Sequence, residues 1–296
     1  MKIGFVSALL DETDLEDCLA AAASLGYSYI EAASWPAGGS ERRYAGTSHV
    51  NADDYSQVAE ICARTQVGIS SLGFYPNPLG PDGKQAIAHL HKLIDASAAL
   101  GIGMVTTFIG RDQHKSVEEN LVLAGKVWPE IIAHAEEAGV RIGIENCPML
   151  FDSGQWPGGQ NLFTTPAIWR EVFAMLDSDN LGINYDPSHF VWQQIDPIKP
   201  LYEFADKLFH VHIKDIHVDP YKLDDVGVMA YPLQYMSPKL PGHGDLDWGA
   251  FISALDDVGY AGPICVEVED RAYETSLERK LESLALSLRY LSQFMA

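Results

Sequence analysis

Leu208-Phe209-His210-Val211-His212-Ile213-Lys214-Asp215 alternates apolar and polar residues with a period of two, the side-chain period of a β-strand. Phe209, Val211 and Ile213 share one face, and His210, His212 and Lys214 share the other. A half-exposed strand turns its polar phase to water. The same alternation recurs, however, in strands that a helix-rich layer should cover, so the polar phase is expected to line an interior. In Arg141-Ile142-Gly143-Ile144-Glu145 the isoleucines form one face and Arg141, Gly143 and Glu145 the other. In Leu181-Gly182-Ile183-Asn184-Tyr185-Asp186 the interior phase is Gly182, Asn184 and Asp186, and in Ile264-Cys265-Val266-Glu267-Val268-Glu269 it is Cys265, Glu267 and Glu269. Four successive strands thus end in a carboxylate or imidazole on the same relative face: Glu145, Asp186, His212 and Glu267.

Strand and helix patterns alternate along the whole chain. Strands are expected at residues 3–8, 29–33, 67–74, 103–109, 140–146, 181–186, 208–214 and 264–268. Helices are expected at 14–25, 53–65, 83–100, 117–138, 166–176, 198–205, 248–258 and 276–294, with Pro129 kinking or breaking the fourth. Gly26, Gly101, Gly139 and Gly259 stop helices just before the next strand, whereas the long loops 34–52, 147–164 and 216–246 all follow strands. That asymmetry predicts an α/β fold, a single (β/α)8 TIM barrel over residues 1–296 with its functional loops on the C-terminal face. A doubly wound open sheet would need a Gly-rich phosphate turn after the first strand, and Ser7-Ala8-Leu9-Leu10-Asp11 is not one.

The 296 residues are 47% hydrophobic and 21% charged, ordinary globular material without a linker-like break. A net charge of −21 repels polyanions, so neither nucleic acid nor an anionic membrane is expected as a partner; small neutral molecules and cations are. Cys18, Cys62, Cys147 and Cys265 lack zinc-ribbon or redox spacing and read as reduced packing residues. The apolar run at 3–10 is too short to span a membrane and has no cleavage pattern. A cytoplasmic protein is the simplest expectation, with a homo-oligomer left open.

In a barrel, strands five to eight are neighbours spaced by about 4.8 Å, so inward side chains near their C-terminal ends converge on one point. A single acidic residue at a strand end is ordinarily a helix cap or a solvated loop residue. Four in phase would crowd up to three negative charges into one mouth, which folding tolerates only with a cation, raised pKa values or paired bases such as Lys214 and Arg141. Three carboxylates and one imidazole, with no thiolate, suit one divalent metal ion: Mn²⁺ foremost, or Mg²⁺, Co²⁺ or Zn²⁺.

At these residues the chain resembles a known family. Ile144-Glu145-Asn146, Tyr185-Asp186-Pro187-Ser188-His189, His210-Val211-His212-Ile213-Lys214-Asp215, Gly242-His243-Gly244-Asp245-Leu246-Asp247-Trp248 and Val266-Glu267-Val268-Glu269 look like the xylose-isomerase-like TIM barrels, specifically the sugar phosphate isomerase/epimerase group. The resemblance spans nearly the whole chain. It implies that Glu145, Asp186, His212 and Glu267 are metal ligands, that Glu145 and Glu267 also exchange the substrate proton from opposite faces, and that His189 contacts a substrate oxygen. The ketose epimerases carry an arginine six residues after the ligand histidine; here that position is Val218.

The implied activity is a divalent-metal-dependent isomerase or epimerase acting on a sugar or related polyol or keto compound. A metal gripping two adjacent oxygens acidifies the C–H between them and stabilises the enediolate formed when a carboxylate takes the proton. Reprotonation on the other face epimerises and on the other carbon isomerises. With a neighbouring leaving hydroxyl the same enolate loses water, which makes a dehydratase of the inosose or dehydroshikimate type the alternative. An apurinic endonuclease would need further histidines where this chain has Gly73-Phe74-Tyr75 and Phe108-Ile109-Gly110, and an Asp-x-His where it has His217-Val218-Asp219. Intact Glu145 and Glu267 argue against a non-catalytic sugar-binding barrel.

Further candidates have two readings each. Lys214 contacts substrate or pairs with Glu269 or Asp215, and Asn146 is likewise a substrate contact or a structural residue. Arg271 and Glu269, just past the last strand, are candidates for the mouth. Glu31 is a buried partner of the site or a plain salt bridge; His243 reaches the mouth or caps the helix beginning near Asp247. Trp35, Trp156 and Trp192 sit in or near strand-end loops, where an indole face can stack on a sugar, and Trp156 is the one assigned to substrate. Leu281, Leu284, Leu288 and Leu291 have helical spacing and belong to the core.

Overall fold

A computed structural model of the protein describes residues 2–36, 46–150, 153–156 and 158–295. Part of the 34–52 loop and of the 147–164 loop lies outside these residues. In chain order the strands are β1 (Ile3–Val6), β2 (Tyr29–Ala33), β3 (Gly68–Gly73), β4 (Met104–Thr107), β5 (Arg141–Glu145), β6 (Leu181–Tyr185), β7 (Leu208–Ile213), β8 (Asp215–Val218), β9 (Met236–Lys239) and β10 (Ile264–Val266). Eight of them close into a barrel in the order β1-β10-β7-β6-β5-β4-β3-β2, every pair parallel. The outward phase of the strands, Ile142, Ile144, Ile183, Val211 and Ile213 among them, is buried under the helices. The inward phase is buried too, which is why polar side chains there must find partners within the barrel.

Three helices are anchored to the barrel by tryptophans that satisfy their indole N–H while burying the ring. Trp128 in the helix Val117–Ala138 donates to the Ile109 carbonyl at 2.9 Å, and Trp169 in Pro166–Met175 to the Phe163 carbonyl at 3.0 Å. Trp248, opening the helix Trp248–Asp257, donates to Asp215 Oδ2 at 2.9 Å. Helix ends follow the sequence signals: Ser116 and Glu119 form a capping box, and Gly139 ends the same helix in the left-handed conformation at φ 69°. Leu284 and Leu291 of the last helix are buried, and Leu281 and Leu288 pack against the core beside them.

Several expectations need correction. The helix Val117–Ala138 runs unbroken through Pro129, because the buried Trp128, Ile131, Ile132 and Ala135 hold it to the barrel on both sides of the missing N–H. The second helix is Val58–Thr65, shorter than 53–65. After β6 the helix expected at 198–205 is the shorter Lys199–Glu203, and a further short helix, Ser188–Val191, precedes it. The 216–246 segment is not irregular: β8 and β9 form an antiparallel hairpin, with a helix Pro220–Val226 between them. The last barrel strand stops at Val266, so Glu267 lies on the chain just beyond it. No helix among the described residues is long and apolar enough to cross a membrane.

The connection back from the hairpin hangs on Asp215. Its buried carboxylate accepts hydrogen bonds from the backbone N–H of Ile216 (2.8 Å), Gly242 (2.9 Å), Gly244 (3.2 Å) and Leu246 (3.2 Å) as well as from the Trp248 indole. A Cβ on Gly244 would lie 2.3 Å from Asp215 Oδ1, so only glycine lets the backbone approach this closely. His243 is exposed beside this turn and neither lines the mouth nor caps the next helix, a task performed by Asp247, which accepts from Ala250 N at 2.9 Å. Asp215→Ala strands several buried donors at once and is expected to destabilise the protein by about 3–4 kcal/mol in urea unfolding, against about 0.5 kcal/mol or less for a substitution at the exposed Asp256.

Candidate metal centre

Parallel pairing explains why distant stretches meet at the mouth. Glu145 closes β5 opposite Asn184, Asp186 follows β6, His212 faces inward on β7 opposite Cys265, and Glu267 lies two residues beyond Cys265. These four side chains, singled out by alternation, each offer an atom within 4.8 Å of the others, a group that can hold a metal ion. His212 Nδ1 stands 3.5 Å from Glu145 Oε1 and 3.5 Å from Glu267 Oε2. Within this cluster His212 Nδ1 and Asp186 Oδ2 are buried without a well-aligned hydrogen bond, although His189 Nε2 lies 3.2 Å from Asp186 Oδ2. Lys214 Nζ does approach Asp186 Oδ2 at 2.9 Å, as an ion pair off hydrogen-bond geometry. A buried ring nitrogen without a hydrogen bond, set between two carboxylates, fits a cation site.

Two imidazoles and an ammonium stand among the carboxylates. Lys214 Nζ lies 2.7 Å from Glu267 Oε2, 3.1 Å from Glu269 Oε2 and 3.2 Å from His189 Nε2. Glu269 is thus a partner of Lys214, whereas Asp215 is wholly engaged with the 242–248 turn. Arg141 is not part of this balance: it begins β5 at the far end from Glu145, its guanidinium 5.0 Å from the Phe209 ring centre. Burial alone would raise the Asp186 carboxyl pKa, but the Lys214 ammonium and the His189 and His212 rings hold it far below the ordinary carboxylate range. Burial would likewise lower His212, and Glu31, Glu145 and Glu267 push it well above the ordinary imidazole value.

A cavity of about 680 Å³ opens above the cluster. Glu145, His189, Lys214, Glu267, Glu269 and Arg271 line it, with Trp35, Phe108 and Trp192 as apolar walls. Among the described residues, Trp156 does not line it: its indole donates to the Met229 carbonyl at 3.0 Å and packs 6.0 Å from Trp192, held outward by the 216–246 segment. Asn146 does not line it either. Its amide donates to Asp186 O at 2.8 Å and accepts from Asp186 N at 2.7 Å, so it clasps the ends of β5 and β6 together. All four cysteines are free, but Cys147 is more than packing, since it faces the cavity beside Glu145 and His189.

Behind His212 lies a buried layer that alternation only partly disclosed. Glu31 Oε2 is 3.1 Å from His212 Nε2, so of its two readings the buried partner is the one observed. Burial would raise the Glu31 carboxyl, but His212, His210 and the Tyr75 hydroxyl outweigh it and hold it down to about 2. Burial lowers His210 to about 3, which leaves it neutral. Tyr75, which donates to Glu31 Oε1 at 2.6 Å, carried no signal in the sequence because it follows the end of β3, where strand alternation no longer fixes side-chain direction.

Comparison with known proteins gives a consistent placement. Residues 19–291 match the family described as xylose isomerase-like TIM barrel. The uncharacterized protein YfiH of Bacillus subtilis (strain 168) is 25% identical over 329 residues, covering 96% of this chain and 98% of its own. Inosose dehydratase of Clostridium tetani (strain Massachusetts / E88) is 25% identical over 177 residues, 59% of this chain and 58% of that enzyme. The crystal structure of IOLI protein with a binding zinc atom superposes with a TM-score of 0.73 over 100% of both chains at 21% identity, a likeness of fold. With a closed parallel barrel of eight strands and a match that runs from the first helix to the last, the chain belongs to the xylose isomerase-like TIM barrel family.

Proposed function

We propose that the protein is a divalent-metal-dependent isomerase or epimerase that moves a proton on a carbon beside a carbonyl of a sugar or related polyol or keto compound. One observation carries this: Glu145 and Glu267 approach His212 Nδ1 to 3.5 Å each, from strands on opposite sides of β7 in the barrel ring. Glu145, Asp186, His212 through Nδ1 and Glu267 would hold the ion, and the oxygen-rich donor set favours Mn²⁺, with Mg²⁺, Co²⁺ or Zn²⁺ also accommodated. A bound divalent ion supplies a grip on two neighbouring substrate oxygens and thereby acidifies the C–H between them.

The chain's own groups do the rest. Glu145 and Glu267 take up and return the proton on either side of the substrate carbon. His189, with Nε2 3.2 Å from Asp186 Oδ2, is placed to donate to a substrate oxygen from the cavity wall, and Arg271 stands at the rim. Trp35 and Trp192 offer apolar faces to a sugar ring and exclude water from the carboxylates. The four free cysteines fit a reducing, cytoplasmic setting, and the charge of −21 disfavours nucleic acid as substrate.

A second reading, dehydratase, is favoured by one contact and one relative. The Lys214 ammonium lies 2.7 Å from Glu267 Oε2, where it can protonate a departing hydroxyl while the carboxylate takes the neighbouring C–H proton. Inosose dehydratase is among the relatives in sequence.

Asp186→Ala and His212→Ala are each expected to lose a stoichiometric divalent ion in metal analysis while keeping cooperative unfolding; stoichiometric metal in both variants would remove the ligand assignment. Glu145→Gln and Glu267→Gln keep an oxygen ligand but lose the base. Loaded with excess Mn²⁺, they are expected to turn over about 10²–10⁴-fold more slowly. Near-wild-type turnover in both, fully metallated, would reduce the glutamates to ligands only.

A further inference from the structure

His212 can meet a cation through either ring nitrogen, and which one is turned to the cluster depends on Glu31, a residue at the floor of the cavity behind the imidazole. Glu31 reaches from β2 to His212, Oε2 to Nε2 at 3.1 Å, and is 1% exposed. A carboxylate set against one nitrogen of an imidazole leaves the other nitrogen to face a metal ion. Glu31 stands against Nε2, so the nitrogen turned to the cluster is Nδ1, the atom between Glu145 and Glu267.

The surroundings of Glu31 are built to hold that carboxylate in place. Ser71 Oγ donates to Oε2 at 3.1 Å and the Tyr75 hydroxyl to Oε1 at 2.6 Å. Tyr75 in turn accepts from Asn184 Nδ2 at 3.1 Å, and Asn184 Oδ1 accepts from His210 Nδ1 at 3.0 Å. Asn184 Nδ2 also lies 3.1 Å from His212 Nε2, but donating there would require the opposite tautomer, which sets a lone pair against the Glu31 carboxylate. On β3, a Cβ at Gly73 would stand 2.7 Å from Glu31 Oε1, so glycine leaves the room the carboxylate occupies.

We propose that Glu31, seated by Tyr75, Ser71 and the bare Cα of Gly73, is the positioning residue of the metal centre, fixing His212 in the ring orientation and tautomer that present Nδ1 to the ion. The proposal rests on the metal-centre reading of the preceding section. Carboxylates behind metal-bound imidazoles act this way in general, and losing one typically weakens metal binding by about 10–100-fold.

Metal-free wild-type, Glu31→Gln and Gly73→Ala proteins are titrated with Zn²⁺ by calorimetry, with thermal unfolding of each metal-free protein recorded alongside. Both variants are expected to bind Zn²⁺ about 10–100-fold more weakly, although neither alters a ligand, while metal-free Glu31→Gln still unfolds cooperatively. Long-range ¹H–¹⁵N spectra of Zn²⁺-loaded wild type, with labelled histidine, are expected to place the His212 ring proton on Nε2; this readout needs no variant to fold. Affinity within about twofold of wild type in Glu31→Gln, or a His212 proton on Nδ1 with the ion on Nε2, overturns the positioning role and leaves the metal centre standing. A wild-type chain that takes up no ion overturns both.

Discussion

Buried like charge is the constraint around which the barrel mouth is built. Glu31, Glu145 and Asp186 are all buried, with Glu267 partly so, and none of them can stay ionised in a protein interior without compensation. Compensation comes in two layers. Lys214 and His189 neutralise the solvent side, and His212 sits between Glu31 behind it and Glu145 and Glu267 in front. His212 Nδ1 and Asp186 Oδ2 make no hydrogen bond there, and a divalent cation at that point would complete the compensation.

The fold makes such a cluster affordable by spreading its members over separate rigid elements. β2, β5, β6, β7 and the chain beyond β10 each deliver one acidic or imidazole group, so no local stretch carries the repulsion alone. Elements outside the barrel then fix the approach. Asn146 clasps the backbone of Asp186, and Asp215 gathers the turn that returns from the β8–β9 hairpin, which brings Met236 and Lys239 to the cavity wall. Function on this family of barrels is set at the strand ends, and the long insertion between β8 and β9 is the part of this chain best placed to shape what enters.

How far the sequence discloses this depends on where strand geometry applies. Within a strand, alternation fixes which way a side chain points, so Glu145, His212 and their neighbours could be assigned an inward phase, and parallel order then brought them together. Beyond a strand end the phase persists for Asp186 and Glu267, the first residues past β6 and β10, but not for others. Asn146, one residue past β5, turns to the backbone of Asp186 and not to the cavity, Trp156 packs outward against Met229, and Tyr75 turns inward to Glu31 without any periodic signal. The β8–β9 hairpin lies in a segment read as loop; its second strand contains Pro238, which an edge strand tolerates. Pro129 reads as a helix breaker for the same local reason, and tertiary packing overrides it.

Where a divalent ion settles is the most direct test of the metal centre. Anomalous diffraction from crystals loaded with Mn²⁺ locates it directly. One peak per chain is expected at about 2.0–2.3 Å from oxygens of Glu145, Asp186 and Glu267 and from His212 Nδ1, with Glu31 still on Nε2. No peak at the barrel mouth under saturating Mn²⁺, or a peak outside these four side chains, would contradict it.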